Sequence, residues 1–281
     1  MRQFLPEQIV AMMFQKIKNI IAKTGFSGQD MVISVPCYYT EQERIALIDA
    51  ARIAQINVLK IMNTSTATAA SYGIFRRTEF GNNPRNVCFI DLGHCSAGAY
   101  VGSFTKEKTS IVNQIQERNL GTRDFDWKLL EFYIKYIQDQ FGTNVINNNK
   151  TRLRLIEAIE KQRKILSANS EASINVDNIL EDCDLSYILT REKFEELIAL
   201  ELEKFRNMLK TLKSGNILLV FNRFKILEIQ VPLHSVEIIG GGTRIPIIQK
   251  IIQEVFGLEI SRTLNGSENN ARGCAMQVNF L

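Results

Sequence analysis

Histidine is nearly missing from this chain: two, His94 and His234, stand among 281 residues. The five cysteines (Cys37, Cys88, Cys95, Cys183 and Cys274) form no C-x-x-C pair. These two shortages exclude the common zinc spacings and a thioredoxin-like dithiol. An odd, dispersed set of thiols fits a reducing compartment, so a cytoplasmic protein, with the nucleus as a second location, is the expectation. Charge of one sign is lacking as well. The 34 basic and 30 acidic residues leave a net charge of +4, spread along the chain. No basic stripe is present to grip nucleic acid or an anionic membrane. No apolar run approaches the roughly 20 residues that cross a bilayer as a helix. At the N-terminus Glu7 and Gln8 precede a short apolar run with no small-residue cleavage site after it, so a signal peptide is not expected.

What remains is an ordinary globular composition, 45% hydrophobic and 23% charged, long enough for one large domain or two lobes. Ile9, Met13, Ile17, Ile20 and Ile21 recur at helical spacing and predict an amphipathic core helix. MVISVP reads as a buried strand closed by Pro36. Thr40, with Glu43 three residues on, starts a second helix through a capping box. NVLKIM is a strand, and STATAASYG a short helix of small residues. The polar stretch 76–86 is the best lobe boundary. NVCFIDLG is then a strand, followed by two more strand-like runs. Long helices are predicted around 123–141 and 149–167, two strands within 172–190, and a helix from Thr190. The strand VEII, a triple glycine and further helices complete an α/β order.

Three strings could carry chemistry. In SVEIIGGGTRIP a strand runs into Gly240, Gly241, Gly242, Thr243 and Arg244 before a helix that Pro246 can start. Glycines admit a ligand close to the backbone, and a helix N-terminus offers free N–H groups, the outline of a phosphate cradle. A tight strand-to-helix turn explains the same residues, and neither a Rossmann fingerprint nor a GxxxxGK[ST] loop occurs. In FIDLGHCSAGAYV, Asp91 ends a strand and Gly93 permits a turn. An acid there can hold a Mg²⁺-bound water, although a plain hairpin is the simpler reading of the string alone. Ser96 stands in GxxSxG, one residue away from a nucleophile elbow. In EKQRKILS, Glu160, Arg163, Lys164 and Ser167 form a polar stripe that could enclose an adenosine or be solvated charge pairs.

Taken in order, VISVPCYYTEQER, NVLKIMNTSTATAASYG, the IDLG turn, LGTRDFD, EKQRKILS and IIGGGTRIP resemble the nucleotide-binding domain of the heat-shock 70-kDa chaperone family. DLGHCSA, VEIIGGGTRIP and ARGCAMQ are closer to its larger 110-kDa branch, whose members serve the 70-kDa chaperones as nucleotide exchange factors and holding partners. The resemblance implies an α/β, two-lobed, actin-like ATPase fold. Residues 1–80 would form part of lobe I, and 84–281 lobe II with an adenosine-clamp subdomain and a C-terminal helix returning toward lobe I. It implies ATP or ADP as ligand, with Mg²⁺ held through water near Asp91. Gly240, Gly241, Gly242 and Arg244 would face the phosphates and adenine, Glu160, Arg163, Lys164 and Ser167 the adenosine, and Asp91 with Gly93 the second phosphate turn.

The departures from the family pattern are equally specific. Thr64-Ser65-Thr66 stand where a catalytic-region Glu precedes Pro-Thr, and Gly98 replaces a second turn Asp. His94 and Cys95 replace turn glycines, so the backbone is held back from a phosphate; His94 is then expected to be a packing or turn residue rather than a base. Thr122 replaces a glycine and Ser267 an Asp. Phosphoryl transfer relies on carboxylates that position water and Mg²⁺, so efficient hydrolysis is not expected. The family's opening phosphate loop, its catalytic Lys and its substrate-binding domain have no counterpart, which leaves lobe I incomplete and a sheet edge uncovered. The connector from Lys213 to Ser235 carries an apolar insert near ILLVFNRFKI. The leading expectation is a nucleotide-binding regulator whose partner is a 70-kDa chaperone, with unfolded clients reached only indirectly. An ATPase chaperone and a non-binding remnant are the alternatives.

Overall fold

The computed structural model describes residues 3–142, 148–180, 183–215 and 232–278; the insert around 217–226 lies outside them. At its centre is a five-stranded mixed sheet in the order β5-β4-β3-β8-β9. These strands are β3 (Arg85–Leu92), β4 (Ser96–Phe104), β5 (Thr109–Arg118), β8 (Ser235–Ile239) and β9 (Ile260–Ser261). β3 to β5 form an antiparallel meander, while β8 runs parallel to β3, with Asp91 opposite Ile239.

Both faces of this sheet are covered, which is why β3 reads as a continuous apolar run. Side chains alternate between faces along a strand. Cys88, Ile90 and Leu92, with Ala97, Ala99 and Val101 opposite, enter the larger core. That core is completed by α4 (Thr122–Phe141), α5 (Asn149–Leu166), α7 (Ala199–Ser214) and α8 (Pro246–Phe256). Val87, Phe89 and Tyr100 face the other way, against Tyr72, Phe80 and Phe104. Each of these enclosed aromatic side chains contributes about 1.5–3 kcal/mol by leaving water. A hairpin of β6 (Glu171–Leu180) and β7 (Cys183–Thr190) packs on α5.

The first eighty residues form a smaller layer. β1 (Asp30–Val35) and β2 (Asn57–Asn63) pair in parallel, and among the described residues neither has a second neighbour. α2 (Glu41–Ile53) begins at the predicted capping box: Thr40 Oγ1 accepts from the Glu43 amide at 3.3 Å and Glu43 Oε2 accepts from the Thr40 amide at 2.8 Å. α1 (Pro6–Ala22) is a helix, but the expectation that its isoleucine stripe enters a core is corrected. It packs through Ala11 and Phe14 against Ala50, Ala51 and Ala54, and Ile9, Met13, Ile17 and Ile20 remain exposed. The small side chains of α2 draw in the Ala11–Phe14 face, and nothing described covers the opposite one.

The polar stretch after α3 (Thr64–Phe75) contains a 3-10 turn, Arg77–Glu79. The helix predicted from Thr190 is interrupted at Ile198, giving α6 (Arg191–Leu197) before α7. Between the layers lie α3 and α9 (Asn269–Val278), which cross each other closely while α9 also reaches β1. A buried relay ties them to the sheet: Tyr100 Oη donates to Thr68 Oγ1 at 2.6 Å, and Thr68 donates to Asn270 Oδ1 at 2.7 Å.

Candidate functional site

The C-terminal ends of β3 and β8 lie side by side, so the turns that follow them meet. After β8 the chain enters Gly240 with φ +80° and then a 3-10 turn, Gly241–Arg244. A Cβ on Gly240 would lie 2.4 Å from the Leu92 carbonyl oxygen and 2.6 Å from Asp91 Oδ1. Only glycine brings the two turns this close. Thr243 locks the turn by donating from Oγ1 to the Gly240 carbonyl at 2.8 Å. Gly241 faces open space, with no atom within 4 Å of where its Cβ would stand, and Arg244 is exposed beside it. The helix starts at Pro246 as expected, and the residues between it and Gly240 form one 3-10 turn.

Asp91 ends β3 on the face opposite the larger core, beside Gly98 of β4 and, one strand further, Gln116 of β5. Burial pushes its carboxyl up to about 6. Gly93 donates to the Ser96 carbonyl at 3.0 Å, closing the turn that carries His94 and Cys95. That turn is held from behind, since the His94 carbonyl accepts from the Arg123 amide at 2.8 Å and the Gly93 carbonyl from Thr122 at 3.0 Å. His94 thus serves as a turn residue at the start of α4.

Toward the first layer the side chains nearest Asp91 are neutral, and the Arg118–Glu43 ion pair at 2.6 Å joins β5 to α2 at the strand's end. Gln116 Oε1 accepts from the Cys37 amide at 2.6 Å, and Gln114 Oε1 accepts from Ser65 Oγ at 2.8 Å. An amide and hydroxyl network therefore stands around the positions where the family pattern has its further carboxylates. Among the described residues no group of three His, Cys, Asp or Glu side chains converges to hold a metal ion. The donor set fits Mg²⁺ only through water at Asp91.

The predicted adenosine stripe divides on α5. Glu160 and Lys164 pair at 2.6 Å with side chains 43% and 65% exposed, and Ser167 is half-buried with Oγ donating to the Arg163 carbonyl at 3.3 Å. Arg163 is only 5% exposed. Its Nε and Nη2 donate to the two Asp126 oxygens at 2.5 and 3.0 Å, which fastens α5 to α4. Burial raises the Asp126 carboxyl against the pull of Arg163. Arg163, which the resemblance sets at the adenosine, is held here as a brace by Asp126 of LGTRDFD.

Asp91 makes a pH-dependent prediction. Its folded value of about 6 lies above the ordinary 3.8, so between these values the folded chain holds a proton that the unfolded chain has released. Stability is therefore lost as pH rises through this window, by at most about 3 kcal/mol. Asp91→Asn is expected to match the wild type below pH 4 and exceed it above pH 6. Urea melts of both proteins across this range measure the difference; a constant difference would refute the assignment.

Two layers joined by crossing helices, with a glycine turn packed against an acid at the ends of two parallel strands, define an actin-like nucleotide-binding fold. The chain belongs to the Hsp70 family, matching the Hsp70 protein family over residues 1–281. It is 37% identical to heat shock 70 kDa protein 16 of Arabidopsis thaliana over 283 residues, covering all of this chain and 36% of that protein. It is 39% identical to the 97 kDa heat shock protein of Strongylocentrotus purpuratus over 283 residues, covering 99% of this chain and 31% of the other. Identity to heat shock 70 kDa protein 4L of Homo sapiens is 34% over 288 residues, covering all of this chain and 33% of that one. The chain thus spans about a third of the length of these relatives.

Proposed function

We propose that this chaperone-family chain binds ADP and ATP in the cleft between the Gly240–Arg244 turn and α5, and regulates a 70-kDa chaperone without efficient hydrolysis of its own. The observation that carries the reading is the open Gly241 beside an exposed Arg244 and a half-buried Asp91. A phosphate would meet backbone N–H groups on this turn, with charge supplied by Arg244. Glu160, Lys164 and Ser167 present the surface on which an adenosine would rest, braced by Arg163. Mg²⁺, when bound with the nucleotide, would neutralise phosphate charge through a water held by Asp91.

The neutral network of Ser65, Gln114 and Gln116 supports regulation over turnover, because among the described residues amides and a hydroxyl stand there in place of carboxylates that would orient an attacking water. A cytoplasmic location, extending to the nucleus, is part of the same proposal, in keeping with five cysteines that are all free thiols.

Calorimetric titration of the chain with ADP and Mg-ATP tests binding. Micromolar affinity is expected in the wild type and at least a tenfold loss in Gly241→Val, whose side chain enters open space and leaves the fold intact. Heats indistinguishable from dilution in a cooperatively melting wild type would overturn the binding claim. ADP release from a 70-kDa chaperone, measured with and without the chain, tests the regulatory half independently.

A further inference from the structure

On the far side of α3 from the Ser65–Gln114 network, a cavity of about 290 Å³ lies between the end of that helix and the first turn of α9. Its walls include Ser71, Arg76, Asn265, Asn269 and Arg272, none of them part of the cleft described above. Asn269 is 1% exposed, and among the described residues neither its Nδ2 nor its Oδ1 has a hydrogen-bond partner. An amide buried with neither bond made costs roughly 1–3 kcal/mol for each group. It is placed among groups that are oriented but not exhausted. Arg76 Nη2 donates to Thr263 Oγ1 at 2.7 Å, and its guanidinium carbon sits 4.2 Å from the centre of the Tyr72 ring. Arg272 directs Nε and Nη2 at one Glu268 oxygen, 3.1 and 2.7 Å away, and keeps Nη1 for another acceptor. Glu79, the acid on the rim, is engaged by Arg85 at 3.2 Å. Arg76 has no direct carboxylate partner among the described residues; the buried Glu237 reaches it only through Thr263, whose Oγ1 donates to Glu237 Oε1 at 2.7 Å.

We infer that this cavity binds a phosphate group, as inorganic phosphate or a small phosphomonoester. Two guanidinium groups meet the charge of such an ion through charge-assisted hydrogen bonds. Asn269 explains the preference within oxyanions. A hydrogen phosphate both accepts and donates, so it can satisfy Nδ2 and Oδ1 together, whereas a simple carboxylate satisfies only Nδ2. The volume admits a phosphate and a few further atoms and is too small for a nucleotide.

The test is calorimetry and thermal melting of the whole chain with sodium phosphate, glycerol phosphate and acetate, at ionic strength held constant with sodium chloride. Phosphate should bind the wild type and Gly241→Val alike, since the latter alters only the other cleft. Asn269→Ala should weaken phosphate at least tenfold while leaving the phosphate-free melting temperature unchanged or higher, because the fold loses no hydrogen bond. Arg76→Gln should also weaken it, and acetate should be poor throughout. Binding of glycerol phosphate beside phosphate marks phosphomonoesters as the source, and its exclusion marks free phosphate. Three results would overturn the inference: no phosphate binding to the wild type, phosphate binding that survives Asn269→Ala but is lost in Gly241→Val, or a lowered phosphate-free melting temperature in Asn269→Ala.

Discussion

Gly273→Ala is expected to lower the melting temperature by roughly 6–12 °C, through the addition of one methyl group. That methyl would lie 1.9 Å from the Ala67 carbonyl oxygen and 2.5 Å from its carbon. Both are backbone atoms of α3, so no side chain can turn aside; the two helices must separate. Overpacking in a tight core costs typically 1–3 kcal/mol and more where backbone must move. About 3 kcal/mol, at roughly 2–4 °C per kcal/mol for a chain of this size class, gives the stated range. Separation also breaks the Tyr100–Thr68–Asn270 relay and draws α9 from β1, so the two layers should loosen together. Differential scanning calorimetry checks both points. A single transition shifted by less than 2 °C would mean that the α3–α9 crossing is adaptable and does not fix the layers.

The contrast with Gly241 shows what glycine spacing can and cannot disclose. Gly240, Gly241 and Gly242 read alike in the sequence, yet Gly240 is required by its positive φ and by Leu92 beneath it, while Gly241 faces the cleft. Gly273 lies in ARGCAMQ with nothing local to mark it as the point where α9 meets the α3 backbone. Local signals were readable where the physics is local. The capping box at Thr40 and Glu43 formed as expected, and a similar N-cap bond joins Thr190 Oγ1 to the Lys193 amide at 3.2 Å. The apolar run of β3 identified a strand with both faces covered, because a strand enclosed on both sides has no polar face to alternate with.

The Asp126 partner of Arg163 and the exposure of the α1 isoleucines lay beyond the sequence pattern for a shared reason. Helical periodicity says which residues share a face, and it is silent about what that face meets. On α1 the smaller Ala11–Phe14 face found a partner first. On α5, Glu160 and Lys164 face the solvent while Arg163 turns toward Asp126, 37 positions earlier in the chain. Asn269 could not have been singled out either. An unsatisfied amide is a property of its surroundings, and the sequence near it shows only an ordinary polar helix start.

Asp126→Ala is expected to be the most destabilising single change of an ionisable residue, by about 3–5 kcal/mol, because it leaves the Arg163 guanidinium buried without its carboxylate. Both side chains are enclosed, at 6% and 8% exposure, so water cannot replace the lost partner without opening α4 from α5. The exposed Glu160–Lys164 pair on the same helix provides the comparison. Breaking it with Lys164→Ala should cost no more than about 0.5 kcal/mol. Removing both buried charges should restore most of the loss, since a well-packed apolar pair often equals or exceeds a buried ion pair. Asp126→Leu with Arg163→Met is the variant to make. Its nucleotide affinity then separates two roles. If Arg163 is a brace, the double variant keeps affinity within about threefold of the wild type while Lys164→Ala loses most of it. If Arg163 is itself a ligand contact that swings out on binding, the double variant loses affinity despite its restored stability. The 2.5 and 3.0 Å bonds to Asp126 favour the brace, and urea melts paired with calorimetric titration of the three variants measure both quantities.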